Sequence, residues 1–187
     1  MWYNKATKQK EVEILDITIL NFIQNHFHNE ITDWIFPYIT RMGDHGMIWV
    51  LAALCMIVSK KYRKNGILLL VILAVTHMIG EMTMKPLIAR PRPFVTFPGH
   101  QLLIPAPEGY SFPSGHAASS FAAAFTLWKT NKNFGIPAFL LAFLIAFSRT
   151  FLFVHYPSDI LCGAILGVLC SYILIKFSVF YEKKSKV

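Results

Sequence analysis

The residues of this chain whose types could do chemistry fall in three short polar runs: Lys85 with Arg92 and Pro93, then Pro113-Ser114-Gly115-His116, then Ser148-Arg149 with His155 and Asp159. Lys85, Arg92 and Arg149 supply three cations, enough to surround one phosphate. Ser114 and Gly115 add a hydroxyl and backbone N–H donors where a helix is expected to begin, and the free N–H groups and dipole of a helix N-terminus favour an anion. His116 and His155 carry side chains that titrate near neutrality, so either can serve as nucleophile or proton donor. Asp159 can orient one of these imidazoles. The combination describes a site that grips a phosphate and attacks it. Singly, each signal has a plainer reading: cations at helix ends bind lipid headgroups, Pro-Ser-Gly starts many helices, and a histidine at a membrane boundary is commonly an interfacial side chain. Their order, spacing and convergence on one membrane face give them weight.

The elements that must position these residues are strongly apolar. Of 187 residues, 55% are apolar and only 15% charged, with a mean hydropathy of +0.47. That balance points to a membrane protein. A net charge of +8 raises nucleic acid as a partner. The basic residues are clustered, however: Lys60, Lys61, Arg63 and Lys64 lie in one loop, and Lys183, Lys184 and Lys186 at the end of the chain. Such flanking clusters are what membrane topology demands, so membrane lipids are expected as neighbours and no nucleic acid. Cys55, Cys162 and Cys170 sit in apolar segments, odd in number and without metal spacing, which argues against a disulfide framework. The polar stretch 1–13 lacks a signal-peptide pattern, so the chain's own spans are expected to carry it to the membrane.

The expected fold is an all-α polytopic membrane helix bundle, a single domain over 1–187, with an interfacial N-terminal segment (1–45) and a catalytic bundle (46–182). Over 12–26, Val12, Leu15, Ile19, Phe22 and Ile23 recur at helical spacing, but Asp16, Asn21, Gln24 and Asn25 are difficult to bury in hydrocarbon. The segment reads as an amphipathic helix lying in the interface, with Trp34 and Tyr38 as interfacial anchors. Five spans follow, near 46–59, 66–87, 115–128, 134–153 and 157–181. The first is short. The third is dominated by Ala and Ser, which marks a helix inside a bundle. In the last, Gly163 and Gly167 lie four apart, a pair suited to packing within the chain more than to dimerisation; the oligomeric state is left open. If the first helix also crosses, there are six spans.

Charge orients the bundle. The loop 60–64, the turn with Lys129 and Lys132, and the tail fall on one side, which the positive-inside rule makes cytoplasmic. The segments 85–116 and 148–159 then face the outside. Lys5, Lys8 and Lys10 count against this, because five spans place them outside as well.

The runs Lys85-Pro-Leu-Ile-Ala-Arg-Pro-Arg92-Pro93, Pro113-Ser114-Gly115-His116 and Ser148-Arg149-Thr-Phe-Leu-Phe-Val-His155-Tyr-Pro-Ser-Asp159 resemble the three-part signature of the type 2 phosphatidic acid phosphatase superfamily. That family includes membrane lipid phosphatases, glucose-6-phosphatase and soluble vanadium haloperoxidases; the apolar spans favour the membrane branch. The resemblance covers roughly 85–159 and fills every signature position. It implies a helical bundle with its site near the outer face. It further implies that His155 attacks phosphorus and forms a phosphohistidine, Asp159 holds the imidazole tautomer, and His116 is the general acid. Lys85, Arg92, Arg149 and the Ser114–Gly115 segment become the phosphate cradle. Cations and aligned donors stabilise transition-state charge best when preorganised in a dry site. With three cations and no carboxylate cluster, neither a metal nor a cofactor is expected.

Glu81 lies four residues before Lys85 and four after His77, on one helix face. It is expected to pair with Lys85 or Arg90 and place the cradle; direct proton transfer is the alternative. The loop 94–112 has Glu108 as its one formal charge and many apolar residues, so it either guides a lipid tail into the site or merely packs on the bundle. An outward-facing phosphate site suits undecaprenyl diphosphate as the lipid phosphate substrate, in the cell membrane. Phosphatidylglycerophosphate or phosphatidate is the alternative, and a non-catalytic protein binding or transporting anionic lipid is the competitor from another class.

Overall fold

In the computed structural model of the chain, the backbone is described for residues 2–184 and side chains for residues 10–181 and 184. Lys5, Lys8, Lys183 and Lys186, which entered the charge argument, lie outside the described side chains. Helix α1 (Trp2–His26) is followed by α2 (Glu30–Met42), α3 (Met47–Val58) and α4 (Arg63–His77). A π-helical segment, Met78–Met84, joins α4 to the short α5 (Lys85–Ile88), and one further turn, α6 (Pro93–Thr96), leads into a long loop. Helices α7 (Gly115–Thr130), α8 (Lys132–Phe151) and α9 (Pro157–Lys184) complete the bundle, and no strand occurs among the described residues.

Local chemistry sets the helix ends. Asn29 caps α2 by accepting from Ile31 and Thr32 N–H, while its own N–H donates to Thr32 Oγ1, a reciprocal box. Ser114 caps α7 through Ala117 N–H, and Asn131 caps α8 through Asn133 N–H. Pro157 opens α9, where its missing N–H has no intrahelical partner to lose.

Helix α7 is the hub, packed chiefly on α8 and α9 and also on α4. Its small side chains, including Ala117, Ala118, Ser120 and Ala122 to Ala124, are buried. On α9, a Cβ at Gly163 would stand 2.5 Å from the Ser114 carbonyl oxygen, and one at Gly167 would collide with the Ala118 carbonyl. The glycine pair therefore brings two helices of one chain together, as the sequence favours. Trp49, Leu69, Leu73, Leu127 and Ile145 fill the core beside α7.

The span count differs from the expected five. Three helices are long and apolar enough to cross a membrane, Arg63–Thr96, Lys132–Phe151 and Pro157–Tyr181, and a fourth arises if α2 and the segment Asp44–Val58, bent by 47°, count as one. The expected first span is only the 12-residue α3. The expected third, α7, has 16 residues and is sheathed by its neighbours. What holds is a multi-pass helical membrane bundle with three or four spans by length and composition.

Helix α1 also departs from expectation. Val12, Leu15, Ile19 and Phe22, the expected apolar stripe, are exposed, and the inward face carries Asp16, Leu20 and Ile23. Asp16 is buried because partners await it, and Gln24 reaches the Phe151 carbonyl at 2.9 Å. Leu20 and Ile23 pack near the α8–α9 turn with Phe94 and Leu102. Nor is the boundary at residue 46 a boundary in space: Asp16, Thr40 and Asp44 bond directly to Arg90, Arg149 and His116.

Because the α7–α9 contact is backbone against backbone, Gly167→Ala is expected to destabilise by about 1–3 kcal/mol, as overpacking does. A lower midpoint of thermal unfolding in detergent checks this. Leu161→Ala, on the exposed side of the same helix, should change the midpoint far less.

Candidate active site

The three polar runs meet at one end of the bundle, around a cavity of about 680 Å³. Lys85, Arg92, Gly115, His116, Arg149 and His155 all line it, together with Glu81. Two expected members do not. Asp159 stands behind His155, and the Ser114 hydroxyl is turned to the N-cap of α7, so only its neighbour Gly115 reaches the wall. A side chain at Gly115 would collide with the Glu81 carboxylate, which explains a residue without one.

His155 sits in the five-residue turn between α8 and α9. Val154 and His155 N–H both donate to the Arg149 carbonyl, at 3.1 and 3.2 Å, which ties the imidazole to its neighbouring cation. Arg92 Nη1 lies 3.1 Å from His155 Nε2. Arginine can only donate, so Nε2 presents its lone pair and the ring proton is on Nδ1. Nδ1 is directed at Asp159 Oδ2, 3.5 Å away, and at Ser111 Oγ, 3.4 Å away. This is the tautomer a nucleophilic Nε2 needs. Burial, reinforced by Arg149 and Arg92, holds His155 well below the ordinary histidine range against the pull of Asp159, so the imidazole is neutral at working pH.

Asp159 is fully buried and held from several sides. Oδ2 accepts from Ser111 Oγ at 2.5 Å and from Tyr156 N–H at 2.9 Å. Oδ1 accepts from Arg90 Nη1 at 2.7 Å. Arg90 therefore does not serve Glu81. Glu81 pairs with Lys85 alone, at 2.7 Å.

The cations differ in how far the protein satisfies them. Arg92, 4% exposed, is collared by the carbonyls of Gly109, Glu108 and Val154. Arg149 is equally buried, yet donates only to Thr40 Oγ1 at 2.7 Å, and its Nε has no partner. A buried guanidinium with an orphaned donor beside an open cavity is an anion site. Thr76 Oγ1, on the same wall, is also unpartnered. Among the described residues no three His, Cys, Asp or Glu side chains converge as a metal site would require.

Three acidic or hydroxyl partners escaped the sequence reading. Asp44 accepts from His116 Nε2 at 3.0 Å, Ser111 bridges Asp159 and His155, and Thr40 meets Arg149. Asp44 sits between Gly43 and two left-handed residues, His45 (φ 52°) and Gly46 (φ 67°). Its one sequence signal is a carboxylate flanked by glycines at the entry to an apolar helix. The long loop resolves toward the plainer of its two readings: Phe94, Leu102 and Ile104 pack on the bundle. The apolar side of the cavity comes instead from Val50, Leu70, Leu73, Ala74 and Ala118, on α3, α4 and α7.

The sequence profile of the PAP2 superfamily matches residues 65–182. The chain belongs to that superfamily. This is the family the three polar runs resemble, and its match includes all of them. Over 130 residues this PAP2 protein is 33% identical to an undecaprenyl-diphosphatase of Sulfolobus acidocaldarius, covering 69% of this chain and 63% of that one. It thus spans just under two thirds of that relative's length. It is 27% identical over 151 residues to the undecaprenyl-diphosphatase BcrC of Bacillus subtilis, covering 81% and 77%. The crystal structure of Aquifex aeolicus LpxE superposes with a TM-score of 0.78 at 26% identity, over 87% of this chain and 95% of that one.

Two substitutions test the geometry. Arg149→Ala should abolish competitive inhibition by orthovanadate, a phosphate mimic, because the orphaned donor and its charge are lost together. Asp159→Asn should stay folded and lose on the order of 10²–10⁴-fold in kcat, the range for impaired proton handling. Both are read from steady-state kinetics on detergent-solubilised protein.

Proposed function

We propose that this PAP2 protein is a metal-independent membrane lipid phosphatase that works through a phosphohistidine on His155. The observation that carries the reading is the pairing, on one cavity wall, of a neutral imidazole with its Nε2 lone pair displayed and an Arg149 guanidinium left with an unsatisfied donor. Family membership and hydrolase relatives support the same class.

In this reading Lys85, Arg92, Arg149 and the start of α7 hold the terminal phosphoryl oxygens. His155 Nε2 attacks phosphorus, and the N–P bond forms as the bond to the leaving oxygen breaks. His116 delivers a proton to that oxygen, and Asp159 offsets the positive charge that develops on the His155 ring. Water then attacks the phosphohistidine with His116 as base, releasing phosphate and restoring the neutral imidazole. Nucleophilic catalysis of this kind replaces one difficult displacement with two easier ones.

The substrate we assign is undecaprenyl diphosphate, cleaved to the monophosphate at the outer leaflet. The names of the Sulfolobus and Bacillus relatives support it, as does the apolar wall that continues from the cradle between α3, α4 and α7 and suits a long tail. Orientation is supported by charge. Lys64 and Lys129 border a second cavity at the opposite end of the bundle from the site, and the positive-inside rule makes that end cytoplasmic.

Purified protein in excess chelator, given undecaprenyl diphosphate, phosphatidylglycerophosphate and phosphatidate side by side, tests class and substrate together. At least a tenfold advantage in kcat/KM for the diphosphate is expected, about 1.4 kcal/mol of differential transition-state stabilisation. A preference for phosphatidylglycerophosphate or phosphatidate would overturn the substrate and keep the chemistry. Absence of turnover on all three would favour a lipid-binding or transport protein.

A further inference from the structure

Helix α1 stands outside the three polar runs and outside the 65–182 match, yet one of its carboxylates reaches the catalytic centre. Asp16 is 2% exposed. Its Oδ2 accepts from Arg90 Nη2 at 2.7 Å and from Ser158 Oγ at 2.5 Å, and its Oδ1 accepts from Ser158 N–H at 2.8 Å. Arg90 turns its other terminal nitrogen to Asp159 Oδ1 at 2.7 Å and to Ser158 Oγ at 2.7 Å. The guanidinium lies 3.9 Å over the Tyr156 ring, which fixes its plane. One arginine thus bridges two buried carboxylates, one from α1 and one from α9.

Charge counting gives this bridge a purpose. Arg90 paired with Asp159 alone would be a neutral unit, and Asp159 would have little charge left to offer the imidazole. A second carboxylate on the same guanidinium restores a net charge of −1 to the group. When His155 takes phosphorus and its ring becomes cationic, that charge has its counterpart. We infer that Asp16 is a positioning residue for the reaction, acting through Arg90 to keep Asp159 oriented and electrostatically available to His155. The inference rests on the phosphohistidine reading. Asp16 touches neither substrate nor His155; it works through the bridge, and Ser158 holds the bridge in register with the start of α9.

A residue that only fastens α1 would behave differently, and Gln24 provides the comparison. It too ties α1 to the site end of the bundle, through the Phe151 carbonyl and His100, but carries no charge and bonds to none of the catalytic side chains. Asp16→Asn and Gln24→Ala are therefore compared with the wild type for Tm, kcat and KM on undecaprenyl diphosphate, and for the rate of phosphohistidine formation per folded molecule. Asp16→Asn is expected to lower kcat and the phosphorylation rate at least tenfold with KM within twofold of the wild type. Gln24→Ala is expected to lower Tm with kcat within twofold. If Asp16→Asn does not accumulate folded, Arg90→Lys replaces it, keeping the charge but losing the two-nitrogen bridge, with the same kinetic expectation. Wild-type kcat in whichever variant is measured, or a loss shared equally by Gln24→Ala, would overturn the inference alone. A wild type that turns over no lipid phosphate and forms no phosphohistidine would overturn the reading beneath it and the inference with it.

Discussion

Arg149 is held at 4% exposure inside an apolar bundle, with one hydroxyl partner and an orphaned Nε. A buried charge without compensation is among the most unfavourable things a fold can contain. The surrounding structure allows the charge to persist until an anion arrives. The Thr40 hydroxyl meets one nitrogen, and the peptide dipoles at the end of α8 face the rest of the group. The α8–α9 turn folds back onto the Arg149 carbonyl, so the backbone that carries the cation also carries the nucleophile. Close packing of α7 on α8 and α9 makes the arrangement rigid enough to endure.

The other cations form a graded series around it. Arg92 is solvated by three peptide carbonyls, which satisfy its donors without cancelling its charge. Lys85 is matched by one carboxylate at the cavity wall and Arg90 by two, set back from it. Positive potential is therefore greatest where a phosphoryl group would lie and declines toward the Asp159 side, where positive charge develops on the imidazole. A gradient of this kind needs no rearrangement during reaction, which is the advantage of a preorganised site.

Much of this was legible in the sequence. Lys85, Arg92, Gly115, His116, Arg149 and His155 lie in runs whose residue types declare their chemistry, and the structure brings all six to one cavity. Ser114 was correctly placed at a helix start, though its hydroxyl serves the helix. The partners Asp16, Thr40, Asp44 and Ser111 were not found, because each is a single polar residue whose meaning depends on a contact across the fold. Asp16 shows the difficulty well. Read along the chain it looked like a reason to keep α1 out of the interior, whereas in space it is what α1 buries. The span count erred for a related reason: periodicity marks α3 and α7 as apolar helices, but length alone does not tell a span from a helix sheltered by its neighbours.

The π-helical segment Met78–Met84 has a bearing on how this protein can change. Its wide turn, in which Lys85 N–H reaches the Gly80 carbonyl, sets the angular phase of everything that follows. Deleting one residue there would return the segment to ordinary α-helix and rotate the downstream chain by about 100°. Lys85 would swing off the cavity wall, and Arg90 would lose its place between the two carboxylates. Met82, exposed on the outer side, can vary in identity at little cost. In this tract, therefore, the number of residues carries more of the specification than their kind, and a single-codon deletion would silence the protein where a dozen substitutions would not.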